Sequence, residues 1–515
     1  MSIDLAALPA DVAALPRMIG ELMVALGRAR AEAQAEIERL RGILVSLQRN
    51  LFGRRSEQMD DDQLRLGLED LDADIARAET ALPATPPLRS SARGEPDERP
   101  SLPDHLPRDE MVLDVDIDCC PGCGGAVHAI GETVSEMLDY VPASFRVLRI
   151  RRPRYGCRAC DSIHQEPAPE RPIAKGLATP GLLAHVLVSK YADHVPLYRQ
   201  SQILARQGIG LNRSTLANWV GGAAWWLESL RDRLAEHVFA STKIFADDTP
   251  VPVLDPGRGR TRTGRLWVYS RDDRLWNGKE PPAAVYFYSP DRKGERPAVH
   301  VSAFKGVLQV DGYAGFERLA SKGDVVLAAC WAHARRKFYD VHQATGSPVA
   351  AEALRRIGEL YAWEKAIRGR NQAERKEARN SGSRPLVDAL RTWLETQLTK
   401  VPPRSGLAEA IRYALVRWAA LSLFLDDGRV ELDNNPVERA IRPVALGRKN
   451  HLFAGSDGGA DRWAIVASLI ETAKLTNVEP WAWLKDVLER MTNGHPMNRL
   501  DDLLPWNWKP SGALN

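Results

Sequence analysis

Two kinds of residue in this 515-residue sequence have types and spacing that could do chemistry: cysteines at metal-ligand intervals and acids placed where acids are costly. Cys120 and Cys123 in CPGCGG, with Cys157 and Cys160 in CRAC, form two C-x-x-C pairs. Four soft thiolates suit a closed tetrahedral zinc site, and Gly124 gives a tight knuckle its backbone freedom. Cys119, next to Cys120, leaves the first ligand open, and two redox pairs are the competing reading. A four-thiolate site offers substrate no open position, so the expected Zn2+ is structural and holds together a small strand-rich module.

Asp and Glu total 67, so acids chosen by type alone mean nothing. Context separates a few of them. Asp247 follows Ile244, Phe245 and Ala246, and Asp311 follows Val307, Leu308 and Val310. Both close a buried-looking strand, where an ionised carboxylate needs a cation or hydrogen bonds. Strand alternation turns the neighbouring Asp248 to the opposite face. Glu438, in ELDNNPVERAIRPVALGRKN, supplies a third acid from a helix that Asn434 or Asn435 can cap and whose first turn accepts Pro436. Two strand-end acids and one helix acid make a hard oxygen cage for Mg2+ or Mn2+. Arg439, Arg442, Arg448 and Lys449 follow on the same helix and suit a polyanion whose phosphate lies on the metal. An ordinary surface pair of Glu438 with Arg442 is the plainer alternative.

Further basic residues gather at Arg149, Arg151, Arg152 and Arg154, in FRVLRIRRPRYGCR, and at Arg213. They are candidate DNA contacts. The net charge of +3 is too small to carry nucleic-acid binding by bulk excess, so local clustering must do it. No apolar run reaches the length of a membrane span, and the N-terminus lacks a secretory pattern, which makes a cytoplasmic protein the expectation.

These residues need elements to position them. Small and apolar residues from Ile19 to Leu51 recur by steps of three and four, predicting a coiled-coil helix over 1–58 that pairs protomers into a homo-oligomer. An acidic and then Pro-rich linker is expected over 59–107, and the zinc-ribbon-like module over 108–170. Residues 171–240 read as two short helices around the turn GIGLN, the outline of a helix-turn-helix. From 241 the pattern changes to three strands, helix, strand, helix, strand, helix, an α/β domain expected to run to 460 with a helical insertion at about 346–425. A helical tail fills 461–515.

The motifs LFGRRSE, CPGCGG with YGCRAC, ADDTPV, LQVDGYAGF, CWAHARRKF, LDNNPVERAIRPVALGRKNHLFAGSDGGA and LPWNW resemble the insertion sequence 66 family of bacterial transposases over nearly the full length. The resemblance implies a ribonuclease H-like catalytic core with an Asp-Asp-Glu triad, landing on Asp247, Asp311 and Glu438. It implies two Mg2+ or Mn2+ ions, DNA as partner through terminal inverted repeats and target, and small companion proteins. Cys330 and His333 match a C-x-x-H element of several such transposases, and with Asn435 they are expected to support the active site. Where many members carry Asp-Glu-Thr, this chain has Asp247, Asp248 and Thr249. Cleavage of element ends followed by strand transfer is the implied reaction. A DNA-binding regulator with an inactive catalytic domain, or a metal-dependent nuclease that cuts without joining, are the alternatives.

Overall fold

The computed structural model describes residues 145–156, 163–320 and 323–510. The predicted coiled coil, the linker and the four paired cysteines lie outside these residues. The chain divides into two compact units, one of them Gly67–Ala168. Within that unit a short antiparallel hairpin joins β1 (Arg154–Gly156) to β2 (Ile163–Gln165), pairing Tyr155 with His164.

The second unit begins with three helices, α1 (Pro180–Tyr191), α2 (Leu197–Arg206) and α3 (Arg213–Phe239). The turn between α2 and α3 uses Gly208 at φ +78°, the left-handed region that favours glycine. The helix after this turn is not short. It runs 27 residues, through Gly221 and Gly222, because Leu216, Val220, Ala223, Leu227, Leu230 and Leu234 bury one face.

A five-stranded mixed sheet follows: β3 (Lys243–Asp255), β4 (Arg260–Arg271), β5 (Ala283–Ser289), then β6 (Gly306–Val310) after α4 (Glu295–His300), and β7 (Val325–Ala329) after α5 (Ala314–Ala320). The strand order is β5-β4-β3-β6-β7, with β3 and β4 antiparallel and β6 parallel to both β3 and β7. β6 pairs only with Lys243, Ile244 and Phe245, so beyond Phe245 one edge of β3 is free of strand partners. Pro250 and Pro252 fall at positions whose missing N–H would point to that free edge, away from β4, so β3 can pair with β4 through both prolines.

After α6 (Trp331–Thr345) the chain forms α7 (Pro348–Ile367), α8 (Gln372–Ala378), α9 (Arg384–Leu398), α10 (Gly406–Val416) and α11 (Trp418–Ser422). These helices build their own apolar core around Trp331, Phe338, Ile357, Leu390, Ile411 and Phe424. Three more helices complete the fold: α12 (Asn435–His451), α13 (Asp457–Leu475) and α14 (Pro480–Thr492). α13 is buried on nearly every side and closes the outer edge of β5. Ser468 accepts the Tyr286 N–H at 2.9 Å, and Thr472 both accepts from and donates to Ala284 at 3.1 Å. Two hydroxyls thus replace a sixth strand and cover an otherwise open edge. No helix among the described residues is long and apolar enough to cross a membrane.

Candidate active site

Asp247 lies on β3 just past the last residue paired with β6, and Asp311 directly follows β6, so parallel neighbours bring both acids to the same end of the sheet. The free edge of β3 then receives α12. Buried Asn434 donates to the Ala246 carbonyl at 3.0 Å, Arg448 donates to Pro250, and Ala454 donates to Pro252 at 2.8 Å. Glu438, in the first turn of α12, is thereby carried to the strand acids. The loop ahead of α12 is stitched from two more sides. Gln309 of β6, fully buried, donates to the Glu431 carbonyl at 2.7 Å and to that of Asp433 at 3.0 Å, and accepts the Glu431 N–H at 3.3 Å. The Trp331 N–H donates to Leu432 at 2.7 Å.

The Asp311 turn has its own brace. Asp311 Oδ1 accepts the Tyr313 N–H at 2.9 Å across Gly312, whose φ is +97°. From α10, Tyr413 donates its hydroxyl to the Asp311 carbonyl at 3.0 Å, and Arg417 donates to the Gly312 carbonyl at 3.3 Å. A Cβ on Gly312 would come within 2.8 Å of the Arg417 side chain and 3.0 Å of the Tyr413 hydroxyl, displacing the two braces, and the φ of +97° itself favours glycine. The helical segment after α6 also reaches the α12 loop, where buried Arg375 pairs with Glu431 at 2.6 Å. It braces the site from two directions.

Electrostatics distinguish the two adjacent aspartates. Asp248 is fully buried but pairs with Arg292 at 2.8 Å and Arg265 at 3.2 Å, the protein neutralising its own acid. Among the described residues no arginine forms such a pair with Asp247. Burial first, then the charges of Asp311, Asp248 and Glu438, push its carboxyl well above the usual carboxylate range, and His333 acts weakly the other way. Asp247 therefore feels the charges of two further carboxylates, Asp311 and Glu438, a concentration of negative charge that a divalent cation relieves. The tightest convergence among the described residues is different. Ligand atoms of Cys330, His333 and Glu438 lie within 4.8 Å of one another, with His333 Nδ1 4.0 Å from Glu438. Buried Cys330 caps the start of α6, and the backbone N–H groups of His333 and Asn434 point at its sulfur while burial raises its thiol pKa.

One expected site residue, Arg448, is corrected. Asn435 is exposed at the start of α12 with its backbone N–H donating to Asp433 at 3.3 Å, and it is the neighbouring Asn434 whose amide reaches the open edge of β3. Arg448 is 4% exposed and spent on the Pro250 carbonyl, so it is a brace within the fold rather than a DNA contact. Arg439, Arg442 and Lys449 are exposed along α12, and Arg213 is exposed at the start of α3. In the hairpin unit Arg149, Arg151 and Arg154 are exposed, while Arg152 donates its Nε to the Glu166 carbonyl at 2.7 Å. Cys120, Cys123, Cys157 and Cys160 lie outside the described residues.

Gln309, Arg292, Tyr413 and Arg417 were not singled out from sequence. Gln309 had a signal: it is the polar member of an otherwise apolar strand, Val307–Val310. Arg292 had none. It joins the site from a loop, stacking on Tyr313 at 4.2 Å while facing both Asp248 and Asp311.

The family profile described as "Transposase IS66 family" matches residues 175–462, more than half of the chain and all three acids. The chain belongs to the IS66 transposase family. This IS66-family chain also matches the IS66 C-terminal element over 468–506, the zinc-finger binding domain of transposase IS66 over 118–161, and a segment described as "Transposase C of IS166 homeodomain" over 39–111. The zinc-finger match spans all four paired cysteines, and together with the homeodomain match it marks a DNA-binding protein. Among relatives, the uncharacterized protein y4jD of Sinorhizobium fredii is 43% identical, covering 99% of this chain and 98% of its own length. The uncharacterized proteins y4qI and y4hP of the same organism are each 40% identical, covering 99% and 91% of this chain and 99% and 88% of their own.

Proposed function

We propose that this IS66-family chain is a DNA transposase that cleaves the ends of its element and joins them to target DNA, using Asp247, Asp311 and Glu438 as the acids of a ribonuclease H-like core. The observation that carries this reading is the buried carboxyl of Asp247 under the charges of Asp311 and Glu438, beside an Asp248 that the protein neutralises itself. The sheet supports it: an antiparallel β5-β4-β3 set continued by parallel β6 and β7, with Asp247 within β3 just past its pairing with β6, Asp311 directly after β6, and the third acid on a helix laid against β3.

The donor set is all oxygen and fits Mg2+ or Mn2+, which would be held by Asp247, Asp311 and Glu438. When bound, a pair of such ions polarises a phosphate and lowers the pKa of an attacking hydroxyl. The chain supplies the rest. Asn434, Gln309 and Tyr413 hold the acids in register, Arg292 offers a guanidinium beside Asp311 for phosphate oxygens, and His333 sits where it can steady Glu438. Arg439, Arg442 and Lys449 line the exposed face of α12 for the DNA backbone. In this reading the paired cysteines would hold Zn2+ as a structural ion, and residues 1–58 would pair protomers so that two ends are held together.

The test uses Asp247→Asn, Asp311→Asn and Glu438→Gln with pre-cleaved element ends on a sequencing gel. Each variant is expected to lose the longer, joined products while still shifting end DNA, and Mn2+ should raise the melting temperature of the wild type but not of Asp247→Asn. Joining at the wild-type level in any one variant removes that residue from the triad. Shortened products without joined ones in the wild type would make the protein a nuclease instead.

A further inference from the structure

Beside the strand acids lies a second group of metal-ligating side chains with a different chemistry. Cys330 directly follows β7 and caps α6, and His333 is the third residue of that helix. Glu438 comes from the first turn of α12. The two helix starts are fastened together: the Trp331 N–H donates to the Leu432 carbonyl at 2.7 Å, and the N–H groups of His333 and Asn434 are directed at the Cys330 sulfur. One ligand atom from each of the three side chains thus lies within 4.8 Å of the others, and among the described residues no other Cys, His, Asp or Glu trio gathers so closely.

The group has the character of a ligand set rather than of a packed corner. His333 Nδ1 is buried with no hydrogen-bond partner, and at 4.0 Å from Glu438 it is too distant to donate to that carboxylate. An imidazole nitrogen placed so has a lone pair or an N–H left to satisfy. A tetrahedral Zn2+ ion sets its N, O and S ligands about 3.4–3.6 Å apart, so the trio needs to contract by about an ångström, which the flexible Glu438 side chain can supply. Thiolate and carboxylate together cancel the charge of a divalent ion, and the field of Asp433 also reaches Cys330. Cys330 is buried, whereas the side chains of His333 and Glu438 are 29% and 17% exposed, which leaves an ion a path inward.

Softness separates this trio from the strand acids. Sulfur and imidazole nitrogen favour zinc over magnesium, and the all-oxygen set of Asp247, Asp311 and Glu438 favours the reverse. Glu438 belongs to both. We propose that Cys330, His333 and Glu438 bind Zn2+, and that the bound ion withdraws Glu438 from the Mg2+ site and inhibits joining. On binding, the ion displaces the thiol proton to solvent. The inhibition rests on the transposase reading, and the binding does not.

The experiment dialyses the full-length protein, with Cys330→Ala and His333→Gln alongside, against the same buffered Zn2+ and measures the zinc each retains. Zinc on the four paired cysteines is common to all three and cancels in the difference. The wild type is expected to retain one more equivalent than either variant, because loss of a ligand costs at least the roughly 10–100-fold in affinity that loss of an outer-shell partner costs. His333→Gln, at a partly exposed position, keeps the test available should the buried substitution fail to fold. Joining of pre-cleaved ends in Mg2+ is then measured with and without added Zn2+. Wild-type joining should fall about tenfold and recover with a zinc-selective chelator, while Cys330→Ala should change less than about twofold. Equal zinc content in all three proteins at wild-type melting temperature would overturn the site. Equal inhibition of Cys330→Ala would also overturn it, by putting the inhibiting ion among the strand acids, and retention of the extra equivalent without inhibition would overturn the withdrawal of Glu438. A wild type that never joins in Mg2+ yet retains the Cys330-dependent equivalent would sink the transposase reading and leave the zinc site standing.

Discussion

Gln309→Met tests whether the acids are positioned by the loop ahead of α12. Methionine matches glutamine in length and keeps the buried volume, so the change removes three hydrogen bonds without opening a cavity: those to Glu431 and Asp433 at 2.7 and 3.0 Å and the one from Glu431 at 3.3 Å. At about 1 kcal/mol net for each bond the loss is about 3 kcal/mol, and more if the stranded carbonyls find no water. In a unit of this size such a loss lowers the melting temperature by roughly 3–6 °C. The effect on chemistry should be larger in proportion. The loop leads directly to Glu438, and a displacement of about 1 Å at a reacting centre can cost on the order of a hundredfold in rate. The assays are differential scanning fluorimetry and joining of pre-cleaved ends under single-turnover conditions. A variant that melts like the wild type refutes the bracing, and one that melts early but joins at full rate refutes the positioning.

The remaining predictions concern charge. Asp433 is raised from the ordinary 3.8 to about 6, by burial first and then by Glu431. Its favourable contribution to stability is full below the unfolded value and lost as pH rises through about 6. Asp433→Asn should therefore flatten the fall in melting temperature between about pH 4 and pH 6, and an unchanged pH profile would show that the group is not perturbed. Arg448→Met should destabilise the fold while leaving the salt dependence of DNA binding unchanged, because its guanidinium is spent on Pro250. Arg439→Gln and Lys449→Gln should do the reverse, each lowering the salt slope by roughly one; equal effects from all three would restore Arg448 as a DNA contact.

Much of this protein can be read locally. The change to strand character at 243, the alternation of strands and helices up to α6, and helix formation between 348 and 425 follow from period, β-branched runs and breakers, all properties of neighbouring residues. Asp247 and Asp311 stood out for the same reason, since an acid closing an apolar run is conspicuous in one dimension, and Glu438 stood out as the acid opening a basic helix. The arrangement that gives them meaning is not local. Two partners for β3 of unequal length leave an edge open past Phe245, and that edge selects Asn434 over Asn435 and draws Arg448 inward, away from DNA.

Sequence alone therefore determined which segments are strands or helices and which acids are candidates, because each depends on patterns a few residues long. Tertiary structure decided which groups meet. Gln309 clamps a loop more than a hundred residues away, Tyr413 and Arg417 reach back to the Asp311 turn, and Cys330 and His333 meet Glu438 from another helix. Hydrogen bonds and desolvation act over a few ångströms of space whatever the separation along the chain, so only the folded geometry could reveal these pairings.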